Sequence, residues 1–492
     1  MTRAGDLPEG IPNAHSLLLS ASQSVTRMSD STLPTFDTVI RGGTVATASD
    51  VFSADLGISD GRITAIGLDL APGRREIDAT DKLVLPGGVD SHAHIEQLSA
   101  SGLMNADTWE SATRSAALGG TTSVIAFAAQ HVGMDLAKVV EDYTALARAG
   151  AVIDYAFHLI IADATEKALT QDIPALVQAG HSSLKAFMTY DRLRLADEAL
   201  LDLMAAAKES GALVCVHAEN HGLIAFASRQ LLKEGKTAPK YHAASHPRLS
   251  ESEAFERVVR FSQFLDQPVM IFHVSTEEGA AILRRARGEG AKVYAETCPQ
   301  YLFLTESDLD RPGLEGAKWM CSPPLREARD QEALWRALDL GDLQTVSSDH
   351  APYRYDETGK LKAGPGATFK EIANGMPGLQ MRLPLLFDAM VSGGRLGLRK
   401  FVEITATAPA RIYGLANKGS VAVGQDADLC LWDPSRRVTL SDEIVEDRTG
   451  FTPYAGRTVT GWPETVLCRG RVIVEGGAVT AEAGSGAPIS RG

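Results

Sequence analysis

Six side chains able to bind a metal or move a proton stand in or just after short apolar stretches. His92 and His94 close KLVLPGGVDSHAH, Lys185 lies within SSLKAFM, His217 ends ALVCVH, His273 ends PVMIFH, and Asp349 follows LQTVSS. Side chains alternate along a strand, so the rings of an H-x-H pair share one face and can grip one cation. Imidazole nitrogens with a carboxylate suit zinc, with manganese or iron as alternatives. Each piece alone is weak, because a single histidine at a strand end is as readily a core residue as a ligand. Together they point to a metal site, provided that all of them meet. Lys185 is the odd member, since a lysine inside an apolar strand is costly. Either it snorkels to the surface, or burial lowers its pKa and leaves a neutral amine. A neutral amine can condense with carbon dioxide to a carbamate, an anionic two-oxygen ligand able to bridge two cations. Spacing alone does not select that outcome.

The elements that must position these residues form a repeating pattern. Eight apolar strands are expected: KLVLPGGVDSHAH, TTSVIAFA, VIDYAFHLI, SSLKAFM, ALVCVHA, PVMIFHV, AKVYAET and LQTVSS. Ala- and Leu-rich helical stretches such as DLAKVVEDYTALARAG separate most of them. Strand–helix alternation predicts a parallel sheet, and eight units predict a closed (β/α)8 TIM-type barrel of α/β class over residues 86–417. A barrel gathers the C-terminal ends of its strands at one mouth, where all six residues would then lie. The alternative, an open doubly wound sheet, lacks the Gly-rich dinucleotide fingerprint after its first strand. Outside the barrel, FDTVIRGGTV and GRITAIGLDL near one end and QDADLCLWDP and ETVLCRGRVIVEGG near the other have the alternation of short strands around turns. They predict a small β-sandwich built from residues 36–85 and 418–482. Residues 1–35 read as a disordered extension, with Met28 as a second possible start, and residues 483–492 as a flexible tail.

The bulk properties narrow the partners. The chain has 492 residues, 44% hydrophobic and 22% charged, with a formal net charge of -14 and no long basic run. That balance argues against nucleic acid or an anionic membrane as the main partner and leaves small molecules. The five cysteines form no CxxC pair, which fits reduced thiols in a cytoplasmic protein. No apolar run reaches the ~20 residues of a membrane span. Leu17, Leu18 and Leu19 follow Asp6 and Glu9 and are too short a run for a signal peptide.

The segments PGGVDSHAH, GGTTSVIAF, AVIDYAFHLI, SLKAFMTY, VHAEN, FHVST, AETCPQYL, CSPPLRE, SSDHAPY, NGMPG and TVTGWP resemble, in the same order, the dihydropyrimidinase/D-hydantoinase branch of the amidohydrolase superfamily. The resemblance runs from about residue 36 to 480. It implies two divalent metal ions, Zn2+ first and Mn2+ as the alternative. His92, His94 and Asp349 would hold the more buried one and His217 and His273 the more exposed one. Lys185, as N6-carboxylysine, would bridge them together with a hydroxide. It implies a hydrolase that opens a dihydropyrimidine or 5-substituted hydantoin ring to an N-carbamoyl amino acid, without a redox or nucleotide cofactor. Tyr190 would donate its hydroxyl to the developing oxyanion. Asp349 would take the proton from water and pass it to the leaving nitrogen. Ser322 and Asn374 would contact the amide edge, although Pro and Gly neighbours also make both ordinary turn residues. A homotetramer or dimer is implied as well.

Rival readings remain. Allantoinases and cyclic-imide hydrolases share the metal residues, and a scaffold related to the family but lacking its metals is the non-enzymatic alternative. A dihydroorotase would carry an arginine soon after the H-x-H pair, where this chain has Ile95-Glu96. His158, His181, His242 and His246 read as structural or surface residues, and His350 as a neighbour that could orient the site. The loop Ile95–Met104 departs from the resembling hydantoinases in carrying Gln97 where an apolar residue is usual. A buried glutamine there wants a polar partner, such as a carbonyl or hydroxyl of the substrate. If Gln97→Leu leaves the ranking of a substrate panel unchanged, that expectation fails.

Overall fold

The computed structural model describes residues 35–99 and 102–491; residues 1–34, almost all of the expected extension, lie outside them. Eight parallel strands follow one another in space as they do in sequence. They are β1 (Gly88–Ala93), β2 (Thr121–Ala129), β3 (Asp154–Ile160), β4 (Ser183–Phe187), β5 (Leu213–His217), β6 (Val269–Ile271), β7 (Val293–Thr297) and β8 (Thr345–Val346). Closure comes from a parallel bridge between Ala93 and His350, where the His94 N–H donates to the His350 carbonyl at 2.7 Å. The register between β4 and β5 sets Lys185 beside Cys215 and Phe187 beside His217. The expected barrel is therefore present. Two strands are shorter than their apolar runs suggest, because the chain leaves β6 and β8 before His273 and Asp349 and turns into the mouth.

Helices between the strands begin at side-chain caps that satisfy first-turn amides. Asp135 accepts from the Lys138 N–H to open Leu136–Gly150, and Thr276 accepts from the Gly279 N–H to open Glu277–Gly288. Each buries its apolar stripe against the sheet, as Val139, Val140 and Ala147 do in the first. Among the described residues no helix is long and apolar enough to cross a membrane. In GGTTS a Cβ on Gly119 would overlap the Gln380 carbonyl, and Gly120 has φ +88°. The pair is glycine because the backbone passes too close to a neighbour, and turns too sharply, for a side chain.

The second domain is a sheet assembled from both ends of the chain. Leu83–Pro86 pairs antiparallel with Leu429–Thr439, which joins the early strands to the late ones. Ile40, Leu56, Ile63, Val84, Leu429 and Leu467 pack in one apolar cluster, so early and late strands share a core. The Lys418 ammonium seals this domain to the barrel, 2.7 Å from Asp154, 3.0 Å from Asp426 and 2.8 Å from Asp428. Asp154, Asp428 and Cys468 lie close enough together to suggest a cation site, but Lys418 already neutralises that cluster.

Residues 483–491 do not hang free, contrary to the flexible tail read from AGSGAPISRG. The Tyr155 N–H donates to the Ala487 carbonyl at 2.9 Å and the Ile489 N–H to the Tyr155 carbonyl at 2.7 Å. The segment thus extends the backbone pairing of β3. Arg491 is buried, with Nη1 donating to Ser183 Oγ at 2.7 Å and Nη2 to the Phe157 carbonyl. The small residues that suggest flexibility serve close approach instead, since a Cβ on Gly486 would overlap the Ile153 carbonyl.

Candidate active site and metal centre

At the barrel mouth a cavity of about 510 Å³ is lined by His92, His94, Lys185, Tyr190, His217, His273, Ser322, Asp349 and Asn374, among others. Every residue expected at the site thus borders one space. His92 Nε2 lies 3.1 Å and His94 Nε2 3.7 Å from the same oxygen, Asp349 Oδ1. Potential ligand atoms of these three residues all fall within 4.8 Å of one another. On the other flank the rings of His217 and His273 are 4.4 Å apart, centroid to centroid. His92 and His273 approach to 5.5 Å, which joins the two flanks.

Lys185 sits between them, 1% exposed, and does not snorkel. Its ammonium lies 4.0 Å from the Phe272 ring centroid and 4.8 Å from that of Phe187. Among the described residues no carboxylate oxygen comes within 4.0 Å of it. Burial lowers its pKa to about 7, only partly offset by the charges of Cys215, Asp349 and Glu296. Burial also pushes the Tyr190 hydroxyl up, reinforced by the charge of Glu219, so it stays a donor across the physiological range. Asp349 is buried too, which opposes its ionisation, yet the charge of His92 and hydrogen bonds from His92 and His94 hold its carboxyl well below the usual range.

The backbone marks the same place. Tyr190, His273 and Asp349 have φ of +71°, +41° and +48°. Aspartate and histidine enter the left-handed region more readily than most residues, but a bulky tyrosine rarely does. Strain of this kind persists where the surroundings impose a side-chain direction, and it clusters at functional sites. Three turns of this type at strand ends aim three side chains into the mouth.

Comparison with known proteins agrees. The amidohydrolase family profile matches residues 83–473. A D-hydantoinase of Ralstonia pickettii is 40% identical over 457 residues, covering 92% of this chain and 99% of its own. Another, of Streptomyces coelicolor, is 42% identical over 462 residues, covering 92% and 98%. The chain belongs to the amidohydrolase family, on its dihydropyrimidinase/hydantoinase branch. The crystal structure of a dihydropyrimidinase from Brevibacillus agri superposes on it with a TM-score of 0.90 at 40% identity, covering 92% of this chain and 98% of the other.

This amidohydrolase is therefore a metal-dependent cyclic amidohydrolase, and the donor set can be tested against a cation. Imidazoles and a carboxylate converge from both flanks, the donor types that a divalent ion takes. His273 Nδ1 is buried with no hydrogen-bond partner, a desolvation left uncompensated by the protein alone. The set fits a metal.

Several supporting residues of the amidohydrolase site were not apparent from the sequence. Glu296, on β7, accepts from His92 Nδ1 at 2.5 Å, which fixes the ring and turns Nε2 toward Asp349. Glu219 takes His217 Nε2 at 2.8 Å and His246 Nδ1 at 2.9 Å. His350 is braced by Asp107 at 2.9 Å and accepts from the Gly378 N–H at 3.0 Å, so it fixes loops rather than facing the cavity. Gln97 is buried as expected and has a polar partner inside the protein, with its Oε1 2.7 Å from His94 Nδ1. Glu296 carried a readable signal, an acid inside the apolar run AKVYAET, of the same kind as Lys185. Glu296→Gln is expected to weaken metal retention about 10–100-fold, the usual cost of losing a carboxylate behind a ligating histidine. Dialysis against a graded chelator measures it, and unchanged retention would remove Glu296 from this role.

Proposed function

We propose that this protein hydrolyses the ring amide of a dihydropyrimidine or a 5-substituted hydantoin, releasing an N-carbamoyl amino acid. The observation that supports it most is the convergence of His92, His94, Lys185, His217, His273 and Asp349 on a single cavity that also holds Tyr190 and Asn374. His92, His94 and Asp349 would hold one divalent cation and His217 and His273 a second, zinc or manganese, with Lys185 carboxylated between them. Such a pair, when bound, polarises a carbonyl and acidifies water.

The chain's own residues then do the rest. The neutral Lys185 amine attacks carbon dioxide and sheds one proton, giving the carbamate. Asn374 Nδ2 donates to Ser322 Oγ at 3.1 Å, and its Oδ1 is buried without a partner. That free acceptor suits a ring N–H, and so holds the amide edge of the substrate. Tyr190 donates its hydroxyl to the carbonyl oxygen as negative charge gathers there. Asp349 accepts the proton lost by water and returns it to the ring nitrogen as the C–N bond breaks. Water adds across the amide, so the acid and the ureido nitrogen account for every atom.

Tyr190→Phe is expected to lower kcat about 10²–10³-fold, the usual cost of removing one oxyanion donor, with a small change in KM. Steady-state kinetics check it, and a change confined to KM would assign Tyr190 to ground-state binding only. The reading as a whole is tested on dihydrouracil, hydantoin, a 5-substituted hydantoin, allantoin and a cyclic imide. Turnover of the dihydropyrimidine or hydantoin rings by the metal-loaded enzyme is expected. Turnover of allantoin or the imide alone would move the substrate, and no turnover with metal bound would overturn the reading. The same proposal includes a homo-oligomer, tetramer or dimer, to be read by light scattering. It also includes a cytoplasmic location, supported by five unpaired, buried cysteines.

A further inference from the structure

Gln97 is 8% exposed and lines the cavity. Its backbone N–H donates to Asn105 Oδ1 at 3.3 Å, and its Oε1 lies 2.7 Å from His94 Nδ1. With the Nε2 lone pair given to a cation beside Asp349, the ring proton would sit on Nδ1 and be the one donated. An amide nitrogen placed there would set donor against donor, so this bond also fixes which end of the glutamine amide points away. The amide nitrogen has no hydrogen-bond partner among the described residues. The donor pair opens onto the cavity, where an acceptor on a bound ligand can take it up. An apolar residue at this position could neither hold His94 nor offer that donor.

We propose that Gln97 sets specificity, holding His94 through its carbonyl oxygen while donating an amide N–H to an oxygen acceptor that the substrate carries outside the amide being cleaved. The substrate class it selects is a cyclic ureide whose ring substituent bears an ether, carbonyl or carboxylate oxygen. This rests on the ring-opening reading above and adds the chemistry of the substituent. Both functions come from one side chain, and Gln97→Glu separates them. Glutamate keeps an oxygen for the His94 N–H and removes both amide hydrogens.

The test compares 5-(methoxymethyl)hydantoin with 5-propylhydantoin, which have the same shape and differ by one acceptor oxygen. The wild-type enzyme is expected to favour the ether in kcat/KM. That preference should shrink about tenfold in Gln97→Glu, the worth of roughly one hydrogen bond, with metal content retained. Gln97→Met should lose the preference and also some metal. An unchanged preference in Gln97→Glu at full metal content would overturn the proposal. If the wild type opens neither ring, the reaction assignment falls, and thermal stabilisation by the two compounds decides this inference separately. A larger shift with the ether, lost in Gln97→Glu, sustains it, and equal shifts overturn it.

Discussion

Lys185→Ala is expected to lose ring hydrolysis by about 10⁴-fold or more, within the ~10⁶-fold or larger acceleration enzymes achieve. Metal content should fall with it. The reason is positional. Lys185 lies between the His92/His94 and His217/His273 flanks, and alanine would leave a void walled by Phe187 and Phe272 where an anion is needed. A small carboxylic acid supplied at high concentration should restore part of the activity to Lys185→Ala, because it returns two oxygens to the same void. No restoration by any small carboxylate or by bicarbonate would contradict a role as an anionic bridge. The pKa of about 7 makes a second, independent prediction for the metal-free enzyme. Between about 7 and the ordinary lysine value of 10.5 the unfolded chain binds a proton that the folded chain does not. Stability therefore rises with pH across that window, and the full cost of burying the ammonium is felt below it. Denaturant midpoints of metal-free enzyme from pH 7 to 10 should show this slope, and Lys185→Met should reduce it, the remainder coming from Lys360, whose pKa burial also lowers to about 7. Equal slopes would mean that some other group dominates the titration.

The same lysine shows why much of this site was legible from one sequence. A charge inside an apolar strand contradicts its surroundings, and contradictions of that kind are local. Histidines at the ends of apolar runs are local too, and eight strand-like runs make a barrel the economical way to gather them. Glu296 was open to the same logic in AKVYAET, yet its partner His92 lies 204 residues away, and pairings at that range leave no local mark. The Gln97–His94 bond spans three residues, but its existence depends on a loop conformation that composition does not set. The tail failed for another reason. Small residues are needed both by a chain that moves freely and by one pressed against a backbone, as Gly486 is against Ile153, so AGSGAPISRG alone could not separate the two. Left-handed backbone at Tyr190 was likewise invisible, because tyrosine does not favour it.

Asp349→Asn is expected to reduce kcat by about 10²–10⁴-fold, the range supplied by a positioned proton acceptor, with KM changed far less. Asparagine has the same shape and can still accept a hydrogen bond from His92 or His94 through its remaining oxygen, but it cannot take up a proton. One Asp349 oxygen is shared by the two histidines, which places the carboxyl to bind a cation beside them as well as to carry the proton. Loss of a metal ligand alone would also lower kcat, so the decisive readout is the pH profile at restored metal content. If Asp349 carries the proton, the acidic limb of kcat/KM should vanish in Asp349→Asn while the residual rate stays nearly flat with pH. If the limb survives unchanged, the proton is carried elsewhere and Asp349 only binds. The left-handed φ of +48° offers a cross-check within the same residue. Asp349→Gly relieves the backbone and deletes the carboxyl together, so it should be no less stable than Asp349→Asn yet equally slow, which would separate the conformational reason for this residue from the chemical one.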